Sequence, residues 1–133
     1  MKQKINQLIT FEEKGQYLIS VDTKKNRLKL TFLGDLKSPH FLNNTRKALE
    51  KLSQGVTLLS HVNSDEAPLL GTALLFKESF RMTQEKKLSR AAFVNSKGNF
   101  IHKIIKNDID DPGLSKFEVK FFRDLGKAEA WLG

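Results

Sequence analysis

Two segments that are apolar on both faces constrain the fold more than any other feature of the chain. They are VTLLSHV (56–62) and LSRAAFV (88–94), and both are short and flanked by polar turns. A strand has this composition when both of its faces are buried, as in the middle of a parallel sheet covered by helices. We therefore expect these segments to be central strands.

Three other segments have the alternation of a half-buried strand. QYLISVD (16–22) and RLKLTFLG (27–34) flank the turn TKKN, so they predict an antiparallel hairpin. FEVKFF (117–122) alternates in the same way. Residues 1–15 fit either a short helix or a strand.

Four segments change to the helical period. HFLNNTRKALEKLSQG predicts a helix that begins with Pro39 in its first turn and ends at Gly55, and a second helix is expected over 66–82. A third spans 98–109, and a last one follows Asp124 as its N-cap. The apolar positions expected to face the core in the second and last helices include Leu69, Leu70, Ala73, Leu74 and Phe80, and Leu125, Ala128, Trp131 and Leu132.

The resulting order is ββαβαβαβα. Strands separated by helices require right-handed crossovers and a largely parallel core. We therefore predict an α/β domain over residues 1–133, with a mixed, largely parallel sheet of about five strands, an N-terminal hairpin and helices packed on the sheet.

Composition narrows the function classes. The chain has no cysteine, which excludes disulfides and thiol chemistry and fits a cytoplasmic protein. No apolar run reaches the roughly 20 residues of a membrane span. The formal net charge of +8 suits an acidic partner, with the densest basic group at Lys24, Lys25, Arg27 and Lys29. The basic residues are nevertheless spread along the chain without neighbouring aromatics, so nucleic acid is not the expected partner.

The closing stretch FFRDLGKAEAWL, together with YLISV, NRLKLTFLGDL and KKLSRAAFV, resembles the STAS fold of anti-sigma-factor antagonists. More narrowly, it resembles the SpoIIAA-like, SEC14-related family of small bacterial domains. That family tends to end with a phenylalanine-bearing strand and a short helix closing on Ala-x-Ala-Trp-Leu, as at Ala128, Ala130, Trp131 and Leu132. The resemblance implies a non-enzymatic domain that binds another protein in regulation or signalling.

One part of the STAS pattern is altered. Signalling STAS domains carry a phosphorylatable Ser or Thr where the loop after a central strand meets the next helix. The matching run here is HVNSDEAPLLG, in which Ser64 is followed by Asp65 and Glu66. Two carboxylates would repel a phosphate on Ser64, so we interpret the run as an acidic helix start.

The expected contact surface combines the loop after the first buried strand with the NSKG turn after the second. Its candidate residues are His61, Asn63, Ser64, Asp65, Ser96 and Lys97. His61 stands near the carboxyl end of a strand, where α/β sheets form sites. His40, His61 and His102 have no metal-ligand spacing, so neither metal nor cofactor nor catalytic residue is expected.

Two alternatives to protein binding stay open. A lipid or small hydrophobic ligand would occupy a pocket between the helices at 66–82 and 98–109, as in SEC14-like domains. An anionic polymer would bind weakly through the basic hairpin at 24–29.

Overall fold

The computed structural model describes residues 8–37, 39–63, 70–95 and 117–133. Six strands lie in these ranges: β1 (Leu8–Glu13), β2 (Tyr17–Asp22), β3 (Arg27–Phe32), β4 (Thr57–Val62), β5 (Arg90–Asn95) and β6 (Glu118–Phe122). The described helices are α1 (Phe41–Glu50), α2 (Leu70–Gln84) and α3 (Leu125–Leu132). The helix expected over 98–109 lies outside the described residues.

The six described strands form one mixed sheet in the order of the chain, β1-β2-β3-β4-β5-β6. The pairs β1–β2 and β2–β3 are antiparallel, whereas β3–β4, β4–β5 and β5–β6 are parallel. The α/β class and the N-terminal hairpin are therefore confirmed. Leu8–Glu13, whose conformation the sequence left open, is a strand that extends the hairpin to three antiparallel strands.

The helices divide between the two faces of the sheet. α1 and α2 cover one face, where Phe76 of α2 packs against Phe32 of β3 and Phe80 packs edge-to-face on Phe93 of β5. α3 covers the other face, where Ala128 and Leu132 pack on strand residues Leu59, Ala92 and Val94. Burial on both faces explains the continuous apolar runs of β4 and β5. None of the helices in the described ranges has the length and apolar character that crossing a bilayer requires.

The ends of α1 differ from the prediction. The helix begins at Phe41, so Pro39 precedes it, and His40 at the N-cap makes no side-chain cap hydrogen bond. It ends at Glu50, before Gly55, which lies in the next loop with a φ of 87°. The chain needs residues 51–56 to turn into β4, and Leu52 and Val56 are buried there as part of the core. The prediction placed the helix end too late because Leu52, which lies beyond the last helical residue, is apolar and continues the helical spacing.

The predicted Asp124 cap is confirmed, because its carboxylate accepts a hydrogen bond from the Lys127 amide at 3.0 Å. Two of the predicted core positions are wrong. Leu74 is 57% exposed and Leu125 is 40% exposed. In α2 the buried face instead includes Thr72, Ser79 and Thr83, whose hydroxyls are hydrogen-bonded. Hydrogen-bonded hydroxyls can be buried at little cost in free energy. Polar residues therefore occupy part of the buried face of α2, whereas the apolar pattern had assigned Leu74 to that face.

A buried arginine joins the sheet to α3. Arg27, the first residue of β3, is 1% exposed. Its Nε donates to Thr57 Oγ1 at 3.0 Å and its Nη2 donates to the Gly133 carbonyl oxygen at 2.8 Å. Arg90 donates to the Trp131 carbonyl oxygen at 2.9 Å. Two guanidinium groups thus satisfy carbonyls at the C-terminal end of α3, where the helix dipole favours cations.

We expect Arg27→Met to lower the free energy of unfolding by about 2–4 kcal/mol, because it leaves Thr57, the Gly133 carbonyl and buried Asp22 without their cation. Lys29→Met is the matched control. Lys29 lies on the same strand and contacts the same helix through a 3.4 Å ion pair with Glu129, but it is partly exposed. Its loss should cost less than about 1 kcal/mol. Urea denaturation measures both, and equal losses would contradict the special role of Arg27.

Candidate functional site at the carboxyl edge of the parallel strands

The parallel strands β3, β4 and β5 end side by side. Phe32 is the register partner of Val62, and Val62 is the partner of Asn95. The loops that follow β4 and β5 therefore leave the sheet from neighbouring positions, as the sequence predicted. Carboxyl ends of strands are the usual location of sites in α/β sheets. Ser64, Asp65, Ser96 and Lys97 lie outside the described residues.

Of the predicted site residues, His61 and Asn63 are described. His61 is half-buried on the face of the sheet that carries α3, since it shares that face with Leu59 two residues earlier. Burial lowers the pKa of its imidazole. Asn63 is exposed, and its backbone amide donates to the Phe32 carbonyl oxygen at 2.8 Å, which extends the β3–β4 ladder past the strand ends.

Asn95 is a candidate that the sequence reasoning missed. It is the last residue of β5 and only 5% exposed. Neither its amide oxygen nor its amide nitrogen has a hydrogen-bond partner in the part of the chain that the structure describes. Such a group costs about 1–3 kcal/mol if it stays unpaired. The sequence feature that could have identified Asn95 is its polar amide at the end of the strand RAAFVN, directly after four apolar residues.

The edge does not gather these side chains into one cluster. Asn95 follows Phe93 by two residues and so shares its face, which α2 covers, whereas His61 lies on the opposite face. On the α2 side the neighbouring polar groups are satisfied. Thr72 Oγ1 accepts the Leu36 amide at 2.9 Å and donates to Asp35 Oδ1 at 3.1 Å. This chain of hydrogen bonds fixes the start of α2 to the segment after β3.

What this edge offers chemically is hydrogen bonding. In the described ranges there is no group of three or more His, Asp or Glu residues that could hold a metal ion. Desolvation is the cause of the lowered His61 pKa. The Asn95 amide and the His61 imidazole, which lie on opposite faces of the sheet, cannot act on one reacting atom.

Exposed large hydrophobic side chains lie around the same edge. The four in the described ranges are Leu33, Leu74, Phe121 and Leu125. Leu33 directly follows β3, Phe121 is near the end of β6, and Leu125 begins α3 just beyond it. Leu74 lies in α2 between Thr72, which contacts the segment after β3, and Phe76, which packs on Phe32 at the end of that strand. The apolar surface of the described chain is therefore concentrated at one end of the sheet.

Comparisons of the chain with protein-family models, with curated proteins and with solved structures return no match. The α/β architecture is established by the six-stranded sheet and the helices described above.

We expect Asn95→Leu to raise the free energy of unfolding by about 1 kcal/mol, because it replaces an unpaired buried amide with an apolar side chain of similar shape. Asn44→Leu is the control, since the Asn44 amide donates to the Tyr17 hydroxyl at 3.0 Å and its loss should destabilise. Thermal and urea unfolding measure both. A loss of stability in Asn95→Leu would show that the amide has a partner in solution.

His61 should make stability depend on pH. Its pKa in the folded chain lies below the usual value of about 6.5, so the unfolded chain binds the proton more readily. Stability from this group is fully present above that value and is lost as the pH falls toward the folded pKa. The melting temperature of the wild type should therefore fall more than that of His61→Gln between about pH 7.5 and 5. Identical pH profiles for the two proteins would contradict the lowered pKa.

Proposed function

We propose that this chain is a non-enzymatic STAS-like, SpoIIAA-like regulatory domain that binds a partner protein through the carboxyl edge of its parallel strands. The proposal joins the resemblance of the closing FFRDLGKAEAWL stretch to the surface described above. In this proposal the domain is bacterial and cytoplasmic, and it regulates by contact.

The observation that carries the proposal is the position of the exposed hydrophobic side chains. Leu33, Leu74, Phe121 and Leu125 all lie at the carboxyl edge, and none of the large hydrophobics whose side-chain burial the structure describes is exposed at the opposite edge. A chance scatter of apolar residues would place some at each end. Exposed apolar groups rimmed by polar ones are the usual marker of a protein interface.

Asn95 adds a source of specificity at the same edge. A buried amide that lacks a partner gains most from a ligand that supplies one, because the desolvation cost has already been met in the free protein. Both amide atoms are enclosed in the free protein, so a partner's peptide group would satisfy them only after the side chains that cover Asn95 move aside. Binding of a partner would then remove the free-energy cost of leaving the Asn95 amide unpaired.

The small-ligand alternative has no comparable support. Its pocket would lie between α2 and the helix expected over 98–109, and that segment is outside the described residues. On the described side, α2 packs its aromatic residues directly on β3 and β5.

The proposal is tested by affinity capture from a lysate of the organism that encodes the chain. The bait is either the wild type or a double variant, Leu33→Ser with Leu74→Ser, which removes apolar surface without touching the core. We expect at least one captured protein to be reduced about tenfold or more with the double variant, since each exposed leucine contributes on the order of 1 kcal/mol at an interface.

The matched control changes two exposed residues at the opposite edge, Gln54→Ser with Glu85→Ser. It should leave capture unchanged, and all baits should first be shown to have similar melting temperatures. Recovery of the same proteins in the same amounts with every bait would rule out the carboxyl edge as the interface.

A further inference from the structure

The end of the sheet opposite the candidate site is built from three loops, which we call the amino edge: residues 23–26, 51–56 and 85–89. They precede β3, β4 and β5 respectively. Because neighbouring strands lie about 4.8 Å apart, the three loops follow one another along a single line. Segments that are up to some 60 residues apart in the chain therefore form one continuous surface.

Hydrogen bonds hold the three loops to one another. The Asn26 side chain donates to the Ser53 carbonyl at 3.0 Å and accepts the Ser53 amide at 2.8 Å. The Gly55 amide donates to the Lys86 carbonyl at 2.9 Å, and Lys86 Nζ donates to the Leu52 carbonyl at 2.9 Å. The surface is thus organised before it meets any partner, so little entropy is lost on binding.

The amino edge carries an excess of positive charge. Its lysines are Lys24, Lys25, Lys51, Lys86 and Lys87, and its nearby exposed carboxylates are Glu50, Glu85 and Glu118, the last paired with Arg90 at 3.2 Å. Asp22 is buried and accepts the Lys25 amide. Two members of the basic group seen in the sequence do not contribute, because Arg27 is buried under α3 and Lys29 pairs with Glu129. The fold replaces them with lysines from the other two loops.

Lys87 occupies a backbone conformation that favours glycine. Its φ is 56°, in the left-handed region, and the side chain is exposed. A non-glycine residue there costs roughly 1 kcal/mol, which glycine would avoid. The Lys87 amide donates to the Gln84 carbonyl at 3.0 Å just after α2, so the left-handed conformation helps to end this helix and leaves the side chain at the exposed surface.

We propose that the amino edge binds the phosphate backbone of a nucleic-acid duplex without reading its sequence. A row of lysines on a fixed surface matches a row of phosphates. The described amino edge exposes no large hydrophobic that could insert into a membrane or stack on unpaired bases, which argues against a lipid surface and against single strands. Trp131, at the end of α3, is already covered by the Arg90 guanidinium at 5.2 Å.

Fluorescence anisotropy with a labelled DNA duplex of about 16 base pairs tests the proposal across a salt series. The logarithm of affinity should fall against the logarithm of salt with a slope of about −3 to −4, since each phosphate contact contributes about −0.9. Lys25→Gln, Lys51→Gln and Lys87→Gln combined should reduce that slope by about 2.7 and weaken binding at low salt by more than tenfold.

A charge-matched control combines Lys14→Gln, Lys37→Gln and Lys127→Gln, which are exposed and lie at the carboxyl edge or in the first turn of α3. It should keep the wild-type slope. Equal losses in the two triple variants would mean that net charge alone attracts the duplex, and this would overturn the proposal. Absence of binding at low salt, equal binding to phosphatidylserine vesicles, or displacement of the duplex by polyglutamate would overturn it as well.

Lys87→Gly separates a functional role from a structural one. Glycine removes the backbone strain, so the melting temperature should hold or rise while affinity for the duplex falls by several-fold. A fall in melting temperature with unchanged affinity would assign Lys87 to the fold instead. These outcomes are independent of the protein interface, because the two surfaces lie at opposite ends of the sheet.

Discussion

The fold depends on one buried cation. Arg27 begins the strand at which the sheet changes from antiparallel to parallel pairing, and its guanidinium reaches both the next parallel strand and the end of α3. Burial lowers the pKa of this guanidinium, while Asp22 and Glu129 oppose that effect. The Thr57 hydroxyl and the Gly133 carbonyl replace part of its water, whereas its Nη1 has no hydrogen-bond partner among the described residues. Without Arg27, the eight-residue helix α3 would keep only its apolar contacts, the Arg90 hydrogen bond to the Trp131 carbonyl and the partly exposed Lys29–Glu129 ion pair.

The two ends of the sheet have different properties. At the amino edge, side chains and backbone groups of three loops bond to one another, and charge is left on the outside. At the carboxyl edge, the chain leaves the sheet after each strand, a buried amide stays unpaired among the described residues, and large hydrophobics are exposed. Among the described residues, the amino edge therefore presents charge, whereas the carboxyl edge presents apolar side chains beside an unpaired amide.

Local patterns were enough to predict most of the architecture. The doubly apolar β4 and β5, the alternation of β3 and β6, and the Asp124 cap depend on neighbours in sequence, and each was found. The exposure of Leu74 and Leu125 was missed, because helical periodicity shows which residues share a face but not how much of that face the rest of the chain covers. The strand conformation of Leu8–Glu13 depends on its pairing with β2, so the local sequence could not predict it.

The candidate surfaces were less predictable, because they too depend on contacts between segments that are distant in the sequence. The register places the ends of β4 and β5 next to each other, as expected. Strand alternation, however, puts His61 and Asn95 on opposite faces of the sheet. That outcome can be predicted only if the exact boundaries of both strands are known. Charge was harder still. In the sequence, Lys24, Lys25, Arg27 and Lys29 form one group, yet alternation along β3 sends two of them to α3. Of the lysines that take their place, Lys51 follows α1, and Lys86 and Lys87 follow α1, β4 and α2, so only the sheet brings them together. Electrostatic function in an α/β domain is thus decided by which loops share an edge, a property of topology that no local run of residues contains.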